Sequence, residues 1–183
     1  MKISGVDITV NTGLHTPVVP PTGYATSAML MGASLSAAAT FANVLYAYPY
    51  IPINTFSYTQ LYINVTTAVA SSKARILIYS NLSGSPRAKL YESADLDCST
   101  TGQKTVNISG SFSAGTTYWL AFHANSTQTI TQIGSGNLVH LLVTPPNTPF
   151  ISVFQNVTFA SAPTTFTVSG YAQSTVPYIG III

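Results

Sequence analysis

Leu61, Ile63 and Val65 alternate with Gln60, Tyr62 and Asn64. A hydrophobic period of two is the signature of an extended strand with one face buried and the other wet. The same alternation recurs where Ala74, Ile76 and Ile78 interleave with Arg75, Leu77 and Tyr79, where Val106 and Ile108 interleave with Thr105 and Asn107, and where Tyr118, Leu120 and Phe122 interleave with Trp119, Ala121 and His123. Further strands are predicted over 6–10, 29–35, 43–50, 89–92, 127–133, 138–143, 151–159, 165–171 and 178–182. Clusters of Gly, Pro, Ser and Asn at 81–86, 99–102, 113–115, 134–137, 144–149 and 161–163 turn the chain between them. Many short strands at this spacing predict an all-β sandwich or barrel. Only 28–41, with Ala37, Ala38 and Ala39, competes as helix, and Gly32, Ser34, Ser36 and Thr40 weaken it. Residues 1–23, with Pro17, Pro20, Pro21 and Gly23, read as a first strand and an extended N-terminal arm, and 24–183 as one β-sandwich domain. The inward positions Leu61, Ile63, Val65, Ile76, Ile78, Leu120 and Phe122 are the expected core, with Trp119 as an anchor of it.

Charge narrows the function. Of ten charged side chains among 183 residues, eight lie between Lys73 and Lys104, and 105–183 contains none. Such a chain is poor in the acids, bases and anion clamps that catalysis requires, so no enzyme activity is expected. It is wetted instead by 25 Thr, 21 Ser and 10 Asn. A wet surface without repulsion suits a protein that packs against copies of itself or other subunits. Lys73, Arg75, Arg87 and Lys89 share their region with Glu92, Asp95 and Asp97, so no basic patch for nucleic acid forms. Cys98 stands alone, which precludes an intrachain disulfide and points to a reducing compartment for folding. Ser4, Gly5 and Asp7 interrupt the apolar run a signal peptide needs, and hydroxyls and Asn43 interrupt the Ala-rich stretch 24–50, so neither a secretion signal nor a membrane span is expected.

The candidate chemistry is correspondingly thin. His15, His123 and His140 are the available bases, no Gly-x-Ser-x-Gly is present, and a lone strand histidine is more often packed than catalytic. Glu92, Asp95 and Asp97 could offer oxygen ligands to calcium, but their spacing is nonspecific, so no catalytic residue, metal ligand or cofactor is assigned. The five Asn-x-Ser/Thr sequons, at Asn64, Asn81, Asn107, Asn125 and Asn156, carry little weight in a chain so rich in Ser and Thr. Tyr46, Tyr48 and Tyr50 share one strand face and are weak candidates for stacking on a sugar; core or interface filling is the favoured reading of these rings. At the C-terminus the uncharged, Ile-rich run with Tyr178, Ile179, Ile181, Ile182 and Ile183 would be an aggregation hazard if its edge stayed open. It is expected either to join subunits of a homo-oligomer or, with nearly equal weight, to close the sandwich of its own subunit.

One stretch bears a resemblance. Ala74-Arg75-Ile76-Leu77-Ile78-Tyr79, Gly84-Ser85-Pro86, Asp97 before Ser99-Thr100-Thr101-Gly102, and Ala114-Gly115 before Tyr118-Trp119-Leu120-Ala121 resemble a module of tail fibres and other accessory virion proteins of tailed bacteriophages. The resemblance is clearest over 74–122, and the opening strands over 45–65 also fit it. It implies a jelly-roll-like antiparallel β-sandwich, a trimeric homo-oligomer, location in the virion after synthesis in the host cytoplasm, and a role in structure or adhesion. It brings no catalytic residues. The partners it implies are other virion proteins and a host-surface glycan. Since the sequence shows no fibre shaft, a capsid cement or decoration protein is the alternative, and a carbohydrate-binding module, resting on the tyrosines, is a third reading.

Overall fold

Inward and outward side chains sort along the backbone as the alternation requires. The computed structural model describes residues 2–3, 6–7, 35–134, 142–144, 148–150, 152–172 and 175–183. Two short pairs stand apart: β1 (Lys2–Ile3) with β2 (Val6–Asp7), and β12 (Leu142–Thr144) with β13 (Thr148–Phe150). The remaining strands are β3 (Leu35–Ala39), β4 (Val44–Tyr50), β5 (Phe56–Thr67), β6 (Lys73–Leu82), β7 (Ser85–Glu92), β8 (Leu96–Asp97), β9 (Gly102–Phe112), β10 (Tyr118–Ala124), β11 (Thr129–Gly134), β14 (Ser152–Asn156), β15 (Gly170–Ala172), β16 (Thr175–Pro177) and β17 (Gly180–Ile182). No helix occurs among the described residues, and Ala37, Ala38 and Ala39 pair with β11 as strand. The N-terminal arm and its boundary at residue 23 lie outside the described residues, apart from the β1–β2 pair.

Two antiparallel sheets face each other. One runs β15-β14-β4-β10-β6-β7 with β8 beside β6; the other is built on β11 and β5, with β3, β9, β16 and β17 beside them. The chain crosses repeatedly from one sheet to the other, wrapping a jelly-roll-like sandwich around a single interior. Leu61, Ile63 and Val65 of β5 meet Ile76 and Ile78 of β6, Leu120 and Phe122 of β10, and Ile130 and Ile133 of β11 there. All seven expected core residues are at most 2% exposed. Truncating Ile78 or Leu120 to Ala is therefore expected to cost about 2 to 5 kcal/mol in denaturant unfolding, the range for a buried aliphatic side chain. A loss under about 0.5 kcal/mol at both would place the core elsewhere.

The central strands are buried on both faces. In β6 and β10 the residues opposite the core row are Leu77, Tyr79, Trp119 and Ala121, and these are also buried, together with Leu45, Ala47, Val153, Ala162 and Phe166. Trp119 therefore anchors this second, outer cluster and not the space between the sheets, a correction that follows from strand geometry because it points opposite to Leu120. The lid of the outer cluster is the irregular segment 157–168. Residues 157–159 leave the sheet, and of the strand expected over 165–171 only β15 and an isolated bridge between Ala88 and Thr165 form.

The hairpin between β6 and β7 turns at Ser83 and Gly84, both with positive φ as a type I′ turn demands. Three other glycines lie under aromatic rings, one of them Gly170 beneath Phe154. Gly110 faces Tyr58 and Gly180 faces Tyr62 across their strand pairs, and a Cβ at either would fall inside the neighbouring ring. Such aromatic cover restores the packing that a bare glycine backbone forfeits in a sheet.

Candidate functional site

Five of the ten charges converge at one place, where 157–168 crosses the outer face of the first sheet. Arg75 of β6 donates from Nε to Asp95 at 2.7 Å and from Nη1 to Glu92 at 2.8 Å; Lys73 reaches Asp95 at 3.1 Å, and Lys89 pairs with Glu92. The network also holds the crossing chain. Arg75 Nη1 donates to the Ala160 carbonyl and Lys89 Nζ to the Ala162 carbonyl, both at 2.6 Å, while Glu92 accepts the Ala162 N–H at 2.9 Å. Tyr79 donates its hydroxyl to the Pro163 carbonyl at 2.9 Å. An irregular segment has no ladder to satisfy its backbone, and here ionisable side chains do that work.

Histidine and arginine bracket the same segment. The Phe159 ring lies between the Arg75 guanidinium, 4.9 Å from its centroid, and the His123 ring, at 5.1 Å. His123 is fully buried, and its Nε2 lies 3.0 Å from the Val157 carbonyl. A carbonyl can only accept, so Nε2 carries the proton and Nδ1, which has no hydrogen-bond partner, is the bare nitrogen. Burial pushes the His123 pKa below its ordinary value, with Arg75 acting in the same direction and the Val157 hydrogen bond and Glu92 opposing. For Glu92 burial alone would raise the carboxyl, but the Ala162 N–H, Lys89 and Arg75 outweigh it and hold it below the usual range. Asp95 is lowered chiefly by its bond to Arg75, which together with Lys73 outweighs the opposing effect of burial.

This arrangement accounts for the acidic trio weighed as a calcium site. Glu92 and Asp95 are occupied by cations, and Asp97 turns away to accept the Ser99 N–H and hydroxyl. No group of three His, Cys, Asp or Glu poised for a metal occurs among the described residues. His123 has a backbone carbonyl for a partner and no nucleophile in contact; His15 and His140 lie outside the described residues. Cys98 is buried, its thiol pushed up to about 11 by burial, so it is held neutral.

The aromatic candidates resolve by depth along one face. Tyr48 and Tyr50 are core residues, and the Tyr48 hydroxyl accepts the Ile179 N–H at 3.2 Å, so neither ring offers a face to a sugar. Tyr46 is half-buried against Phe154, and burial raises its hydroxyl to about 12. The C-terminal candidates likewise divide. β16 pairs with β11 and β17 with β5, so this segment wedges between two strands of its own sheet where they diverge beyond Val65 and Ile130. Ile179 and Ile181 point into the core of their own sandwich, as the closing-strand alternative expects; Tyr178 meets Tyr62 edge-on, Ile182 is half-buried, and Ile183 is exposed.

An uncharged, half-buried to exposed surface forms the outer face of the second sheet. Gln60 donates to Asn107 at 2.8 Å, Asn64 to Thr131 at 3.1 Å and Gln103 to Thr105 at 3.2 Å, and with Tyr62 these outward positions contain no charge. Alternation located these residues on one face, but their adjacency across β9, β5 and β11 required the fold. The anchoring role of Arg75, Lys89 and Glu92 left no sequence signal beyond the clustering of charge. No family model, no curated protein and no solved structure matches this chain.

Proposed function

We propose that the protein is a non-enzymatic structural component of a tailed-bacteriophage virion, of fibre or adhesin type, that packs against copies of itself and other virion subunits. The observation that carries this reading is the uncharged amide and hydroxyl face of Gln60, Tyr62, Asn64, Gln103, Thr105, Asn107 and Thr131. A face without charge lacks the repulsion that keeps copies apart, and its amides can bond equally well to a partner's backbone or to sugar hydroxyls. The resemblance over 74–122 supports the same reading, and that stretch supplies β6 to β9 and most of β10. The partly buried charges serve to hold the chain's own outer segment, which leaves no cluster of free acids and bases for catalysis among the described residues.

Two measurements test the proposal. Antibody labelling of intact particles that contain the chain should place it on the tail or at its tip, and the purified protein should compete with particle adsorption to host cells. Labelling at the head symmetry axes would replace this reading with a cement role. Protein that neither adsorbs nor competes would remove the adhesin part. Placing lysines at Gln60 and Asn107 should reduce the mass seen by light scattering while leaving unfolding within about 0.5 kcal/mol of the parent, as exposed substitutions do. An unchanged mass would exclude this face as the contact.

A further inference from the structure

The segment 157–168 contains no titratable side chain, yet most of the side chains that grip its backbone are titratable. Val157 is held by His123, Ala160 by Arg75, Ala162 by Lys89 and Glu92, and Pro163 by Tyr79; Asn43, which accepts the Phe159 N–H at 2.8 Å, and Gln155, which accepts the Thr167 N–H at 3.0 Å, are the neutral exceptions. Backbone bonds from Val157 to Asn43 and between 164–166 and β7 complete the attachment. We propose that this segment is an acid-released cover: protonation of His123, then of Glu92 and Asp95, detaches it from the outer face while the sandwich beneath stays folded.

The surroundings of His123 set the direction. From β6, Arg75 stands directly across the strand pair; from β7 comes Glu92, and from the turn after it Asp95, which is bonded to Arg75. From β4 the cross-strand neighbour is Leu45, and from the cover Val157 and Phe159 approach, none of them ionisable. A second proton on His123 must settle on Nδ1, which is buried, unpartnered and close to a cation. The neutral ring is therefore favoured in the folded state, whereas the unfolded chain takes its proton at about pH 6.5. A depressed pKa of this kind contributes stability that is fully present above about pH 6.5 and is lost as pH falls below it. Glu92 and Asp95, also depressed, withdraw their contribution at lower pH, below the ordinary carboxylate values of about 4. Acid thus loosens the cover from two sides in sequence. The sandwich interior is insulated, since among the described residues no carboxylate is buried and the one buried histidine is His123 itself, on the outer row of β10.

What the cover protects is also what reports on it. Trp119 is the chain's single tryptophan, 1% exposed, in the cluster that Ala162 and Phe166 close. In the intact protein, acidification from about pH 7.5 to about pH 5 should shift Trp119 emission to the red and raise its quenching by acrylamide several-fold, with the far-ultraviolet circular dichroism unchanged. His123→Gln keeps an N–H for the Val157 carbonyl but cannot titrate, so its emission should hold until the carboxylates protonate below about pH 4. Coincident loss of circular dichroism and tryptophan burial in the parent would overturn the proposal, as would an onset that His123→Gln leaves in place. Should that variant fail to fold, Glu92→Gln supplies the second arm: it removes the lower step and should move release to higher pH, and no movement would overturn the proposal.

Discussion

Removing residues 179–183 is expected to leave a chain that does not fold to a soluble monomer. The C-terminal run is a wedge: β16 on β11 and β17 on β5 together fill the gap that opens between those strands, and Ile179 and Ile181 are 3% and 4% exposed in the core. Losing a buried Ile side chain costs about 2 to 5 kcal/mol, so the pair alone accounts for about 4 to 10 kcal/mol. Domains of this kind carry only about 5 to 15 kcal/mol in total. The deletion also strips backbone partners from β5 and opens Leu61 and Tyr48 to water. Expression of the truncation should yield aggregate or protease-sensitive chain. A folded truncation with parental stability would show that the wedge is dispensable and return its residues to the candidate subunit interface.

Replacing Phe112 with Ala is expected to give the largest loss of any single truncation. The ring, 1% exposed, stacks on Tyr58 at 4.6 Å and meets Tyr118 at 4.7 Å, Tyr50 at 5.1 Å and Phe56 at 5.8 Å. It thereby joins the end of β9 to β4, β5 and β10. Burial and cavity terms give about 3 to 5 kcal/mol, and the lost ring pairs add to this. At about 2 to 4 °C per kcal/mol for a chain of this size, Tm should fall by about 6 to 20 °C. Phe112→Leu, which keeps most of the volume, should lose less than half as much. Equal losses for Ala and Leu would mean that ring geometry, and not filled volume, sets the cost.

Strand identity and inward face were legible from the sequence alone, because a side chain's face in a strand depends only on its parity. Leu61, Ile63, Val65, Ile76, Ile78, Leu120 and Phe122 were assigned inward by parity and lie there. The same parity carried an unread message in β6 and β10: Leu77, Tyr79, Trp119 and Ala121 are apolar on the opposite row too, and a strand apolar on both rows needs a layer on each side. What the second layer is could not be read locally. The cover, 157–168, meets its anchors Arg75, Lys89 and Glu92 at sequence separations of 85, 73 and 70, and nothing in its own Thr, Ser and Pro residues announces them. The C-terminal run was recognisable as a strand that needs a partner. Whether that partner lay in its own sheet or another subunit was decided only by the divergence of β5 from β11, which opens a slot one strand wide. The sequence by itself thus determined the all-β class, the inward rows and the concentration of charge. Tertiary structure decided which apolar rows face which layer, what the charges hold, and where the last strand goes, because each depends on pairings between residues far apart in the chain.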